Sequence, residues 1–344
     1  MYMYRTAKAD ERYPMEDVGD IFMEIRDPRF HDGARKAAVI GAGYVGSTIA
    51  YAMVVRDAAS EVILIDIDRK KAEGEALDIP HGISDMGTAP VYVGDYSDIK
   101  DCDLIIITAG RNRRPGETRL QLVSDNAAIM RDVLTNIQKY YTHGTILVVS
   151  NPVDVLTAYT DKIMGLPNGQ VFGTGCLLDT SRMIRTLSNY LNVPTPLIKG
   201  SIVGEHGDSQ IPVWSRFTVC GVPIEKFCEV SGILWNDEKK NEIKTTVTTM
   251  GSTIINGKGK THYGIGTCTC YLADTVLGQK VTVASVSSVL RGEYGISGVA
   301  LSVPSVIGSN GVSQRIVEEW SDSELAALRQ SAARLKETLE TIDV

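Results

Sequence analysis

Residues 37–55 read AAVIGAGYVGSTIAYAMVV, nineteen positions without a charge. By length and apolarity the stretch approaches a membrane span. Three glycines at turn spacing, Gly41-x-Gly43-x-x-Gly46, followed by Ser47 and Thr48, instead predict a strand, a tight turn and a helix. In such a turn the first glycine permits the bend and the second lets a pyrophosphate approach the backbone. The third lets helix and strand pack closely. Asp66 closes a second apolar run (EVILID, 61–66) twenty residues after Gly46. A carboxylate there accepts hydrogen bonds from ribose hydroxyls and repels a 2′-phosphate, so the expected cofactor is NAD rather than NADP. Asp68 reads as a solvated carboxylate at a helix start.

Working outward, apolar runs at 36–40, 61–66, 91–94, 103–108, 146–150 and 171–175 alternate with helical stretches at 44–55, 69–77 and 120–141. Strands apolar throughout and separated by helices predict a parallel sheet covered on both faces. The fold class is therefore α/β, a doubly wound Rossmann sheet, followed by an α+β catalytic domain. After Asn151-Pro152 the pattern changes, and from Thr180 helices mix with shorter strands and glycines near 257–266 and 292–310. Ser321-x-x-Glu324 is a capping box opening an amphipathic C-terminal helix on Leu325, Leu328, Leu335, Leu339 and Ile342. The expected organisation is residues 35–175 for the cofactor, 176–344 for the substrate, and an extension at 1–34. That extension is polar, charged and irregular, and an ordered arm, a disordered tail and added sequence all fit it.

The 344 residues carry a net charge of −7, with 43% apolar and 22% charged residues. An acidic chain of ordinary globular composition argues against a general nucleic-acid or membrane-surface role. The six cysteines (Cys102, Cys176, Cys220, Cys228, Cys268 and Cys270) show no zinc spacing and no disulfide framework. They read as small core residues in a reducing compartment, and no metal site is expected.

Two constellations carry chemistry. The segment 111–119, RNRRPGETR, puts four arginines in nine residues after the apolar run 104–107. A lone basic turn is commonly solvated surface. Beside a nucleotide fingerprint, guanidinium forks on a Pro-Gly loop instead suit an anionic ligand over which the loop closes. The other is Gly204-Glu205-His206-Gly207-Asp208. A histidine between glycines is accessible and titrates near 6.5, as an acid/base must. It needs a carboxylate to fix its tautomer. Asp208 is near in sequence, Asp179 in Leu178-Asp179-Thr180-Ser181-Arg182 is a second candidate, and spacing alone does not choose.

Gly41 to Gly46, Asp66, the loop ending Pro115-Gly116-Glu117-Thr118-Arg119, Ser150-Asn151-Pro152, Asp179-x-x-Arg182 and Gly204 to Asp208 resemble, in this order, the lactate/malate dehydrogenase family. The resemblance covers roughly residues 35–342. It implies that His206 is the acid/base and Asp179 its partner, that Arg182 grips the substrate carboxylate, and that Arg119 polarises the reacting carbonyl with Asn151 nearby. It also implies cofactor contacts from Gly41, Gly43, Tyr44, Val45, Gly46, Asp66, Thr108, Ala109, Gly110, Ser150 and Asn151. A cytoplasmic homotetramer acting on a small 2-oxo or 2-hydroxy acid follows from the same resemblance. Some NAD-dependent glycosidases share a related architecture but need a metal held by cysteine and histidine, a pair not evident here. A non-catalytic NAD-binding protein would not need His206, Arg119 and Arg182 together.

Signals for the substrate conflict. Arg113 stands where lactate dehydrogenases typically carry glutamine and malate dehydrogenases carry arginine to pair with oxaloacetate's distal carboxylate. The Glu117-Thr118-Arg119-Leu120 ending, Gly204 to Trp214, and Lys258-Gly259-Lys260-Thr261 resemble bacterial L-lactate dehydrogenases. Thr261 falls where malate enzymes usually have a smaller residue. The expectation is an L-lactate dehydrogenase scaffold with substantial oxaloacetate activity from Arg113. Ile184 and Lys199 occupy the positions of the arginine and histidine that bind fructose 1,6-bisphosphate in many bacterial relatives, so weak or absent activation is expected.

Overall fold

The structure of the protein, a computed structural model, describes residues 35–82, 89–111, 116 and 119–342, with the backbone alone of Arg119. The 1–34 extension and the loop residue Arg113 lie outside the described residues. Six strands, β1 (Lys36–Ile40), β2 (Glu61–Ile65), β3 (Val91–Val93), β4 (Leu104–Ile107), β5 (Thr145–Val148) and β6 (Val171–Gly173), form a parallel array in the order 3-2-1-4-5-6. The strand order reverses between β1 and β4, which opens a crevice at their carboxyl ends where α/β sheets bind ligands.

The inner strands are largely apolar runs because both faces are covered, whereas the edge strand β3 is only partly buried. In β4 all four residues are fully buried. Alternation sends Ala38, Ile40, Ile105 and Ile107 to one face, against α3 (Arg119–Tyr140) and α4 (Val153–Met164). Ala37, Val39, Leu104 and Ile106 face the other way, against α1 (Tyr44–Val55). The remaining N-terminal helix, α2 (Arg69–His81), extends past the predicted residue 77, with Pro80 inside its last turn. Asp68 is its N-cap and accepts a hydrogen bond from the Lys71 N–H.

The second half departs in one respect from its sequence reading. Helix α5 (Leu177–Leu191) leads into the two-residue strands β7 (Ile198–Lys199), β8 (Ile202–Val203), β9 (Ile211–Pro212), β10 (Thr218–Val219) and β11 (Val222–Pro223). Three helices follow: α6 (Ile224–Ser231), α7 (Asp237–Lys258) and α8 (Tyr263–Leu277). The next strands are long: β12 (Thr282–Arg291), β13 (Ser297–Gly308) and β14 (Gly311–Arg315). They form an antiparallel set joined to β6 through Ser287 and Gly173, so among the described residues one mixed sheet of nine strands spans both halves. Helix α9 (Asp322–Glu340) opens on the predicted capping box between Ser321 and Glu324. Among the described residues no helix is long and apolar enough to cross a membrane.

Candidate active site

The glycine-rich turn leaves β1 and enters α1. Gly41 has φ +106°, which an L side chain rarely adopts, and its N–H donates to the Ile65 carbonyl at 2.7 Å. A Cβ on Gly46 would lie 1.9 Å from the Gly41 carbonyl oxygen, so helix and strand meet there with no room for a side chain. At Gly43 the space is open, with only the Lys71 Nζ as near as 4.0 Å. Helix α1 has no side-chain N-cap and no acidic residue in its first turn, so its leading N–H groups are available to an anion. Asp66 accepts from the Ala42 N–H at 2.6 Å and the Asp68 N–H at 2.8 Å, which fixes the carboxylate at the end of β2. This cradle fits a dinucleotide.

Across the crevice, Thr108 donates to the Gly41 carbonyl at 2.8 Å, and Ser150 donates to the Ala109 carbonyl at 2.6 Å. Together they tie the ends of β4 and β5 to the turn, with Val45, Gly110 and Asn151 on the same crevice-lining segments. Asn126 on α3 was not anticipated. It accepts from the Arg111 N–H at 2.9 Å and donates to the carbonyls of Arg111 (3.1 Å) and Asn151 (2.7 Å). Arg111 itself pairs with Asp125 at 2.5 Å, so this member of the arginine segment is a loop anchor.

The carboxylate beside His206 is Asp179. Its Oδ2 lies 2.5 Å from His206 Nδ1, and Arg182 Nη1 donates to its Oδ1 at 3.2 Å. Asp208 is exposed. Asp179 sits in the first turn of α5, where a carboxylate is favoured by the helix dipole, and Arg182 follows one turn later on the same face. Burial pushes the Asp179 carboxyl upward, but the His206 and Arg182 charges and hydrogen bonds outweigh it, and the net direction is down. Burial likewise pulls the His206 imidazole down, and Asp179 more than reverses this, so His206 holds its proton above the ordinary histidine range. The Asp179 side chain is 4% exposed and that of His206 27%, so the imidazole reaches solvent while its partner does not.

Asp154, on α4, was also missed. It is 2% exposed and accepts the His206 backbone N–H at 2.7 Å and the Ser287 hydroxyl at 2.6 Å. Burial raises its pKa, only partly offset by those two hydrogen bonds. The histidine loop is held elsewhere too. Gly204 exchanges backbone hydrogen bonds with Ser302, and the Glu205 N–H donates to Ser331 on α9. Thr261 lies between α7 and α8, beside the residues Lys260 and His262 that lean on Tyr44. Ile184 packs against the second-half core, while Arg185 and Lys199 are exposed.

Residues 35–173 match the lactate/malate dehydrogenase NAD binding domain, and residues 176–343 match the alpha/beta C-terminal domain of the same family. The chain is 40% identical over 309 residues to an L-lactate dehydrogenase of Thermoanaerobacter sp. (strain X514), covering 90% of this chain and 99% of that protein. It is 42% identical over 310 residues to an L-lactate dehydrogenase of Priestia megaterium, covering 90% of this chain and 97% of that protein. Among solved structures, the minor L-lactate dehydrogenase of Enterococcus mundtii superposes with a TM-score of 0.87 at 38% identity, over 91% of this chain and 100% of that one.

Proposed function

The chain belongs to the lactate/malate dehydrogenase family as an NAD-dependent oxidoreductase, and from that premise we propose that it reduces pyruvate to L-lactate and also accepts oxaloacetate. The observation that carries the reading is the His206–Asp179 contact of 2.5 Å, with Arg182 on the same carboxylate. Bound NAD(H) supplies or takes up two electrons and one hydrogen at the reacting carbon. During reduction, negative charge grows on the carbonyl oxygen, and His206, protonated and held through Nδ1 by Asp179, delivers its proton there from Nε2. Arg182 takes the substrate carboxylate between its guanidinium nitrogens. Arg119, at the start of α3, polarises the carbonyl with Asn151 beside it, and Thr261 borders the substrate. Residues 35–175 form the cofactor half and 176–344 the substrate half of a cytoplasmic homotetramer with little response to fructose 1,6-bisphosphate.

Arg113 separates this reading from a second one, a malate dehydrogenase proper. A desolvated arginine–carboxylate pair is worth about 2–5 kcal/mol, so it moves specificity by roughly 30-fold or more. The test is NADH oxidation with each keto acid in one buffer, for wild type and Arg113→Gln. We expect both acids to be turned over, and the variant's kcat/KM ratio to swing towards pyruvate by about two orders of magnitude. A ratio unmoved by Arg113→Gln would remove Arg113 from the substrate site, and failure to turn over either acid would overturn the assignment.

A further inference from the structure

Lysines from two distant parts of the sequence gather on aromatic rings near the glycine-rich turn. Lys260 Nζ lies 3.5 Å from the centroid of the Tyr44 ring, and Lys71 Nζ lies 5.9 Å from the same centroid. Lys258 sits 4.0 Å over the neighbouring Tyr263 ring. His262 packs against both tyrosines, at 5.6 and 4.1 Å between ring centroids. Tyr44 is the first residue of α1, immediately after the open position Gly43, and is 53% exposed. Its phenol is held below the ordinary tyrosine range, first by a hydrogen bond from Lys260 and then by that lysine's charge.

A lysine over a ring in water gains about 0.5–1 kcal/mol, little enough to exchange for a charged partner. The place these ammonium groups surround is the uncapped N-terminus of α1, which presents unpaired N–H groups and no acidic side chain. Gly43 leaves this spot free of side chain, with Lys71 bordering it. Backbone donors and two converging cations suit the doubly charged pyrophosphate of a dinucleotide. Lys260 belongs to the connection carrying Thr261, so it links the substrate half of the chain to the cofactor.

We propose that Lys260, together with Lys71, contacts the pyrophosphate of bound NAD, the Tyr44 ring being the position Lys260 takes without cofactor. The proposal rests on NAD as the cofactor and not on which keto acid is reduced. NADH fluorescence titration, at about 50 and 200 mM KCl, tests it on wild type, Lys260→Ala, Lys260→Arg, Lys71→Ala and the remote charge control Lys226→Ala. Circular dichroism verifies that each variant is folded. We expect Lys260→Ala and Lys71→Ala each to weaken NADH binding roughly three- to tenfold and to flatten its salt dependence. Lys260→Arg should restore most of the affinity, and Lys226→Ala should match wild type. An unchanged Kd and salt slope in Lys260→Ala would overturn the proposal. So would unchanged NADH binding with a raised oxaloacetate KM, because Lys260 would then face a substrate carboxylate. Wild type failing to bind NADH would instead strike the cofactor assignment on which the proposal stands.

Discussion

Replacing Asp154 by alanine tests whether the catalytic loop is held by a buried carboxylate rather than by its glycines. The substitution removes the acceptor of two hydrogen bonds, from the His206 N–H at 2.7 Å and the Ser287 hydroxyl at 2.6 Å. Ser287 is fully buried, so water does not readily replace the lost partner. A stranded buried donor costs about 1–3 kcal/mol, giving roughly 2–6 kcal/mol for the pair. Relief from burying a carboxylate offsets part of this, and we expect a net loss of about 2–4 kcal/mol at neutral pH. Asp154→Asn keeps the shape and an acceptor oxygen and should recover most of it. Because the folded pKa is raised, the carboxyl's own contribution is fully present below its unfolded value and is lost as pH rises through the folded value. The advantage of aspartate over asparagine should therefore be largest in acid and shrink towards neutrality. Urea unfolding from pH 4 to 8 gives the stabilities, and steady-state kinetics should show kcat reduced at least tenfold in Asp154→Ala, with a smaller change in KM. A stability loss below about 1 kcal/mol together with a kcat within twofold of wild type would refute the reasoning.

The other predictions concern the proton and the cradle. In Asp179→Asn, burial acts on His206 without the compensating charge, so its pKa should fall. The proposed reduction needs protonated His206, so the alkaline decline of kcat/KM should begin at lower pH; an unmoved profile would show that Asp179 does not set it. Gly46→Ala places a Cβ 1.9 Å from the Gly41 carbonyl oxygen and forces helix and turn apart. It should weaken NADH binding at least tenfold and lower stability by about 1–3 kcal/mol, measured by titration and urea unfolding; wild-type values for both would contradict the packing described here.

What the sequence made legible depended on where each residue's partner lay along the chain. The turn at Gly41–Gly46 could be read directly, because tight bending and close helix packing are local demands that glycine alone meets. The inner parallel strands could be read because burial on both faces leaves an apolar run. The partner of His206 could not, since Asp208 and Asp179 were equally plausible by spacing, and the fold selects Asp179 across 27 residues. Asp154 and Asn126 were missed because their partners, backbone groups of Arg111 and Asn151 for Asn126 and the His206 N–H and Ser287 hydroxyl for Asp154, are brought together only by the fold. A trace of Asp154 was nonetheless present: a carboxylate in the run Val153-Asp154-Val155-Leu156 is hard to solvate and so needs buried partners. The long strands β12 and β13 were hidden by their serines. Ser285, Ser287, Ser288, Ser302 and Ser305 are buried, so polar letters interrupt what is physically continuous core. Ser285 donates to the Ile202 carbonyl, Ser287 donates to Asp154, and Ser302 accepts from the Cys176 N–H. The same side chains that obscured the strands thus fasten β8, α4 and the start of α5, the elements from which His206 and Asp179 are presented. Polar residues inside the second-half sheet thereby hold the elements that bring His206 and Asp179 together, which the glycine motifs alone do not.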